Sequence, residues 1–473
     1  MSRQSLMTMT TPKSITEFHF LLTSKKATLP ELISHFIANS KTQHDRLNLY
    51  ITTTFDQALE KAKTLQQQLD SDPDIITKLP LFGIPIAYKD LFLTKGIRTT
   101  AGAKLLDSFI PPYSATVVDK LEAAGAISLG KLNLDAWAHG ASGENSDYGP
   151  TRNPHGTDYT PGGSSSASAA AVASGCVLVS TGTDTGGSIR LPANFCGIVG
   201  LKPTYGRVSR YGIIAMSSSL DSVGHFTNNV SDSATVLSVT SGADPHDANT
   251  AGSKAFQSSP EFLNLKDITL GIPREYIYPV TNSEVKDNFA DTVSLLKKAG
   301  ANIVELSLPH TEAAIAVYYI LQPAEVSSNL ARFDGIRFGR NRSHFSPEAV
   351  RRQLIGTFTL SSGYYDAYYK TAQKVRTLIK QEFDAVFSKV DALITPVSPT
   401  PPFKIGEKVN DPVAMYLSDV FTVTANIAGI SGLAIPTGKT ADGLPLGIQL
   451  LGPRFGEETI YPIASQLEQL LHD

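Results

Sequence analysis

The chain of 473 residues is 41% hydrophobic and 18% charged, with a formal net charge of −3 and a pI near 6.4. Those values describe a soluble globular protein and argue against a broad cationic surface for nucleic acid. Residues 1–13 are polar and no apolar run approaches the roughly 20 residues that span a bilayer, so neither signal peptide nor membrane span is expected, and a cytoplasmic location is.

Length alone allows two or three domains, but large α/β enzymes often keep a single core. Over 14–69 the pattern is helical: Leu29, Leu32, Ile33, Phe36 and Ile37 recur near a 3.6 period, and 58–69 is rich in good helix formers. This predicts a helical N-terminal layer over 1–70 that belongs to the same domain as 71–473. The first strands fall at 81–88 and 127–129, with a helix over 115–124 that stops at Gly125. Such alternation predicts an α/β fold, a single large domain with a mixed central sheet covered by helices on both faces.

Residues 131–154 are rich in Gly, Asn, Ser and Asp and read as a long loop of the kind that commonly carries function. A thin helix of Ala and Ser is predicted over 164–174, with Gly175 as its stop, and an apolar run follows at 177–179. Further on come a strand at 268–272, a helix faced by Val285, Phe289, Val293 and Leu296 that ends at Gly300, and a strand at 303–306. Neither a G-x-G-x-x-G fingerprint nor a P-loop is present, so no nucleotide cofactor is expected in this chain. The chain closes on strands at 433–436 and LPLGIQLLGP and a helix through Leu470. Cys176 and Cys196 make neither a metal-spacing motif nor a disulfide framework and are expected to be buried and reduced.

The chemistry concentrates in TPGGSSSASAAAVASGCVLVSTGTDTGGSIR, residues 160–190, where Gly162-Gly163-Ser164 and Gly186-Gly187-Ser188 flank the small-residue helix. A serine used for acyl transfer needs a base for its proton and N–H donors for the oxyanion. Glycines let the backbone approach a carbonyl and turn several N–H groups inward, although each Gly-Gly step alone also fits an ordinary turn. Of the histidines, only His139 and His155 lie near this stretch, and neither sits in a triad pattern. Lys89 ends the apolar run LPLFGIPIAYKD. Burial there would free its amine to act as a base, whereas the common alternative is a strand-end lysine facing water.

Lys89, PGGSSSASAA from Pro161 and TDTGGSIRLPANFCGIVGLKPTYGRVSRYG from Thr183 resemble the signature of the amidase signature family, whose enzymes use a Ser-Ser-Lys triad. The resemblance continues through nearly the whole chain. It implies Ser188 as nucleophile, Ser164 as bridging serine, Lys89 as base and a cis peptide bond at Gly163-Ser164. Main-chain N–H groups of Thr185, Gly186, Gly187 and Ser188 are then the expected oxyanion hole. The family usually has SSGGS where this chain has SSSAS, so a positive φ at Ser166 or Ala167 would be in doubt. His139, in AHGAS, stands where the tRNA-dependent members usually have methionine and is read as a pocket wall beside Gly140, not as a catalytic histidine.

Within the family, EVSSNLARFDGIRFG, GTFTLSSGYYDAYYKTAQKVRTLI, PVSPTPPFKIGE and DPVAMYLSDVFTVTANIAG look like the tRNA-dependent amidotransferase subunits more than free-standing amidases. That likeness implies glutamine as substrate, a partner subunit that binds tRNA and uses ATP and Mg²⁺, and a small third subunit. It implies no metal or cofactor in this chain, and contact with tRNA only through the partner. Arg352 is expected to take the α-carboxylate of glutamine and Asp419 its α-ammonium, with Tyr319 as a further contact. The alternative for Arg352 is a solvated pair with Glu348 at i,i+4. Tyr364, Tyr365, Tyr368 and Tyr369 read as core or partner-facing, and 339–351 is shorter than in bacterial relatives. The competing functions are a free-standing amidase for another small amide and a non-catalytic scaffold.

Overall fold

The computed structural model describes residues 10–257, 264–336 and 339–472. Most of the polar start and two residues of the EVSSNLARFDGIRFG stretch therefore lie outside the described residues. In chain order the strands are β1 (Tyr50–Thr53), β2 (Pro85–Lys89), β3 (Ile127–Leu132), β4 (Val179–Asp184), β5 (Val199–Lys202) and β6 (Ser222–Thr227). They continue with β7 (Thr269–Pro273), β8 (Asn302–Leu306), β9 (Ala392–Pro396), β10 (Ser431–Lys439) and β11 (Pro445–Gly452). Among the described residues all eleven join one sheet in the order β1-β3-β2-β4-β6-β5-β10-β11-β9-β7-β8.

β2 runs parallel to β3 and β4, and β7 parallel to β8 and β9. An antiparallel centre, β4-β6-β5-β10-β11-β9, joins the two parallel units. The connections obey the usual rule: β2 reaches its parallel neighbour β3 through the helix Thr116–Ala123, whereas β10 and β11 are joined by a short turn. Every residue of β2, β4, β5, β6, β9 and β11 is buried, which requires cover on both faces. The expected mixed sheet flanked by helices is therefore the fold.

The thin helix runs Ser166–Ala173, and its residues through Val172 are all buried. Only side chains of this size let a helix sit so close that Ser180 Oγ of β4 donates to the Ser168 carbonyl at 2.8 Å. Ser166 and Ala167 are ordinary helical residues with negative φ, so their replacement of glycine costs the backbone nothing. Gly175 ends the segment at φ +69°, the left-handed conformation a helix stop requires.

The N-terminal region is not helical throughout. Helices Ile15–Thr23, Leu29–Leu47 and Phe55–Ser71 are interrupted by β1, which pairs antiparallel with β3 in a register that sets Tyr50 against Leu132. A four-residue edge strand has too little sequence for an alternation to be read, and its ladder partner lies far along the chain. The layer packs on the sheet: Phe18, Leu29, Phe36 and Leu47 share one apolar cluster with Ile86, Leu129 and Val179.

In the second half, helix Pro347–Thr359 crosses helix Ala314–Leu330 closely, because a Cβ at Gly356 would lie 1.9 Å from the Pro323 carbonyl oxygen. Cys176 and Cys196 are free and buried. Among the described residues no helix is long and apolar enough to cross a membrane.

Candidate active site

Lys89 closes β2 with no exposed surface. The parallel register of β2 and β4 pairs Ala87 with Ser180, so the lysine ends beside the Thr181–Thr183 edge of β4. There Nζ donates to Ser164 Oγ at 2.8 Å, Ser165 Oγ at 2.9 Å and Thr183 Oγ1 at 2.8 Å. Burial pushes the ammonium down to about 7, against the opposing charges of Asp135, Asp221 and Asp184. A neutral amine is thereby accessible near neutral pH, and the water-facing alternative does not apply.

Ser164 follows a cis Gly163-Ser164 bond, the geometry the family resemblance implies. Asp135 supports this corner from the loop after β3. Its main-chain N–H donates to the Ser164 carbonyl at 3.2 Å, and its carboxylate accepts from Gly143 N at 3.0 Å and Asn145 N at 2.9 Å. Burial raises that carboxyl to about 7, partly offset by the two N–H groups.

The second glycine-serine turn hangs on a buried ion pair. Arg190 grips Asp184 through Nε at 3.1 Å and Nη2 at 3.0 Å, and both residues are fully buried. Burial alone would raise the Asp184 carboxyl, but the guanidinium outweighs it and holds the pKa below its ordinary value. Gln449, Thr422 and Asn426 complete the Arg190 shell. Asp184 Oδ1 also accepts the Gly187 N–H at 2.9 Å. Gly187 therefore leaves the set of expected oxyanion donors, since its hydrogen already points at a carboxylate. The N–H groups of Thr185, Gly186 and Ser188 donate to no described residue and remain available. Gly186 has to lack a side chain, because a Cβ would meet the Tyr318 ring at 2.8 Å.

Ser188, 9% exposed, opens into a cavity that Gly140, Tyr319, Arg352 and Asp419 also line. The Ser188 hydroxyl makes no hydrogen bond to Ser164 in this structure; the two segments are tied instead through Ser165 N–H to the Ser188 carbonyl at 3.3 Å. Arg352 does pair with Glu348 at 2.8 Å, yet the helix face is not solvated: Arg352 is 4% exposed and its guanidinium lies over the Tyr319 ring. Burial, with Asp184 adding to it, pushes the Asp419 carboxyl well up, while Arg352 opposes. His139 is not a lining residue. Its ring lies wholly buried behind the wall, both ring nitrogens lack partners, and burial together with Arg352 holds it neutral. The neighbouring Ala138 and Gly140 form the wall instead, because the irregular loop turns this side chain inward. Among the described residues no acidic, His or Cys cluster could hold a metal ion.

A model of the amidase family matches residues 31–461, most of the chain. The chain belongs to the amidase family. Relatives named as the A-subunit of glutamyl-tRNA(Gln) amidotransferase are similar over nearly the whole length. That of Koribacter versatilis is 48% identical over 463 residues, covering 94% of this chain and 96% of the relative. That of Geobacter metallireducens is 47% identical over 476 residues, 96% of each. A crystal structure of the same glutamyl-tRNA(Gln) amidotransferase component from Thermotoga maritima superposes with a TM-score of 0.81 at 37% identity, over 96% of this chain and 94% of that one.

Residues that carry the site and that sequence reasoning passed over are Ser165, Thr183, Asp135, Asp184, Arg190 and Gln322. Ser165 stands inside the quoted PGGSSSASAA block, and Asp184 and Arg190 inside TDTGGSIR, where a charged pair bracketing a glycine turn was the available signal. Gln322 gave none, since its partner Arg352 is on another helix.

Proposed function

We propose that the chain is the glutaminase subunit of a tRNA-dependent amidotransferase. The observation that carries this reading is the opposition of a buried cation, Arg352, and a buried carboxylate, Asp419, in one cavity over Ser188. A zwitterionic amide such as glutamine complements both ends, whereas a simple amide leaves the Arg352 charge unanswered and offers Asp419 no cation. Its α-carboxylate meets Arg352, its α-ammonium meets Asp419 and restores that group's ionisation, and Tyr319 packs alongside.

Ser188 Oγ attacks the side-chain carbonyl carbon. Its proton passes to Ser164 Oγ while the Ser164 proton moves to neutral Lys89 Nζ, the Ser188–Ser164 link closing as the amide is seated. The free N–H groups of Thr185, Gly186 and Ser188 stabilise the oxyanion, each worth about 3 to 4 kcal/mol in comparable sites. The proton returns along the same path to the departing nitrogen, ammonia leaves, and water added by the reverse relay frees glutamate. Ser165 and Thr183 hold the Lys89 amine on its line to Ser164. Ammonia then passes to a partner subunit that activates the misacylated tRNA with ATP and Mg²⁺. A small third subunit braces the assembly, and this chain itself uses no cofactor.

Ammonia release from glutamine by the full-length chain, together with mass spectrometry of what co-purifies with it, tests the reading. Glutamine hydrolysis that vanishes in Ser188→Ala, and a co-purifying tRNA-binding ATPase, are the expected results. Efficient hydrolysis of uncharged amides with none of glutamine would overturn it in favour of a free-standing amidase.

A further inference from the structure

Arg352 and Asp419 line the same cavity, yet they are not ion-paired; Arg352 pairs with Glu348 at 2.8 Å. Burial pushes the Asp419 carboxyl up and Arg352 opposes, so a guanidinium that reached Asp419 would ionise it and pair with it, and the long arginine side chain has to be held apart for the two ends to stay separate. Asp419 is fixed in a single turn, Leu417–Asp419, whose Asp419 carbonyl accepts from Thr422 Oγ1 at 3.0 Å. The restraint on Arg352 therefore decides the geometry.

Two side chains supply it. Glu348 Oε1 accepts from Nε, but Glu348 sits one turn away on the same helix and also pairs with Arg351. Gln322 Oε1 accepts from Nη1 at 2.6 Å and comes from the facing helix, with no exposed surface. The close crossing at Gly356 and Pro323 brings the two helices near enough for this bond. Nη2 donates to no described residue and remains for a ligand in the cavity. The Gln322 Nε2 group has no acceptor of its own. A buried amide with an idle donor carries a desolvation cost that Met or Leu would avoid, so the bond to Arg352 is the physical reason for a polar side chain there. His139, neutral and buried nearby, offers Arg352 no competing charge.

We propose that Gln322 is a positioning residue that tethers the Arg352 guanidinium away from Asp419 and so keeps the cavity divided into a cation end and a carboxylate end for an α-amino acid amide. This rests on the glutaminase reading and adds its specificity device.

The test uses the full-length chain with the proteins that co-purify with it. Gln322→Met keeps the volume and removes the acceptor, whereas Gln322→Glu keeps an acceptor oxygen but sets a buried carboxylate against Arg352. Gln322→Met is expected to raise the glutamine KM about tenfold while kcat changes less than about threefold, and Gln322→Glu to raise KM as well, because its carboxylate occupies the cation meant for the substrate. In an Asp419→Asn background, which removes the carboxylate Arg352 would collapse onto, the same Met substitution should raise KM by less than about twofold. An equal KM rise in both backgrounds, a fall in kcat with KM unchanged, or wild-type kinetics in Gln322→Met overturns the tether. Should melting curves show that Gln322→Met does not fold, Gln322→Leu takes its place with the same outcomes. A wild-type chain inactive on glutamine removes the glutaminase reading and the tether with it. Glutamine hydrolysis lost in Ser188→Ala but unaltered in Gln322→Met removes the tether alone.

Discussion

Lys89 Nζ stands 2.8 Å from Ser164 Oγ with no solvent beside either group. Burial has brought the lysine down to about 7, and only its neutral form can take a proton. Activity is therefore low below that value and rises as pH climbs through it. The pH profile of kcat/KM for glutamine should show one ascending limb with an apparent pKa near 7, a coupled value to which Asp135 contributes. A flat profile from pH about 5 to 9, with chemistry rate-limiting, would remove Lys89 as the base.

Ser188→Ala and Lys89→Ala should each lower kcat by about a thousandfold or more, and Ser164→Ala should leave at most a small residue. Members of one relay fail together, so the Lys89→Ala/Ser164→Ala double variant should be hardly worse than either single change. Ammonia release measures all four. Multiplicative losses in the double variant would mean that the two residues act separately.

Arg190 and Asp184 form a fully buried pair whose removal strands a charge. Arg190→Met should destabilise the fold by about 3 to 5 kcal/mol, because the Asp184 carboxylate loses its paired cation while still holding Gly187. Urea denaturation followed by circular dichroism gives the difference. A loss below about 1 kcal/mol would show that Asp184 is satisfied by N–H groups alone.

Arg352→Lys replaces a planar fork with a point charge and should weaken glutamine use far beyond the ~0.5 kcal/mol of an exposed pair. Asp419→Asn should penalise glutamine while affecting an amide without an α-ammonium much less. Specificity constants for glutamine and propionamide decide it. If both variants keep glutamine kcat/KM within about twofold, the clamp is wrong and the free-standing amidase reading gains.

Strands buried on both faces and helices with a clear apolar stripe were legible in the chain, as β2, β11 and helix Ser283–Lys298 illustrate. β1 was not, because pairing with β3 rather than its own four residues makes it a strand. At the site, the two glycine-serine steps marked the segments but not the hydrogen-bond directions inside them. The Gly187 N–H turns to Asp184 through a fold of the chain that no spacing rule encodes. His139 shows the same limit: a loop residue between two cavity-lining neighbours can point either way, and here it points inward. Gln322 meets Arg352 only because two helices cross at Gly356.

The Asp184–Arg190 brace reaches across the sheet to Thr422, Asn426 and Gln449, positions made hundreds of residues after the turn they secure. During synthesis, Lys89, Ser164 and Ser188 emerge from the ribosome long before these supports exist. The bonds from Gly187 and Arg190 to Asp184 are local to the turn, but the Arg190 shell is complete only once β11 lies between β10 and β9. A chain that stopped before β11 would carry all three reactive side chains and lack the Gln449 oxygen on Arg190.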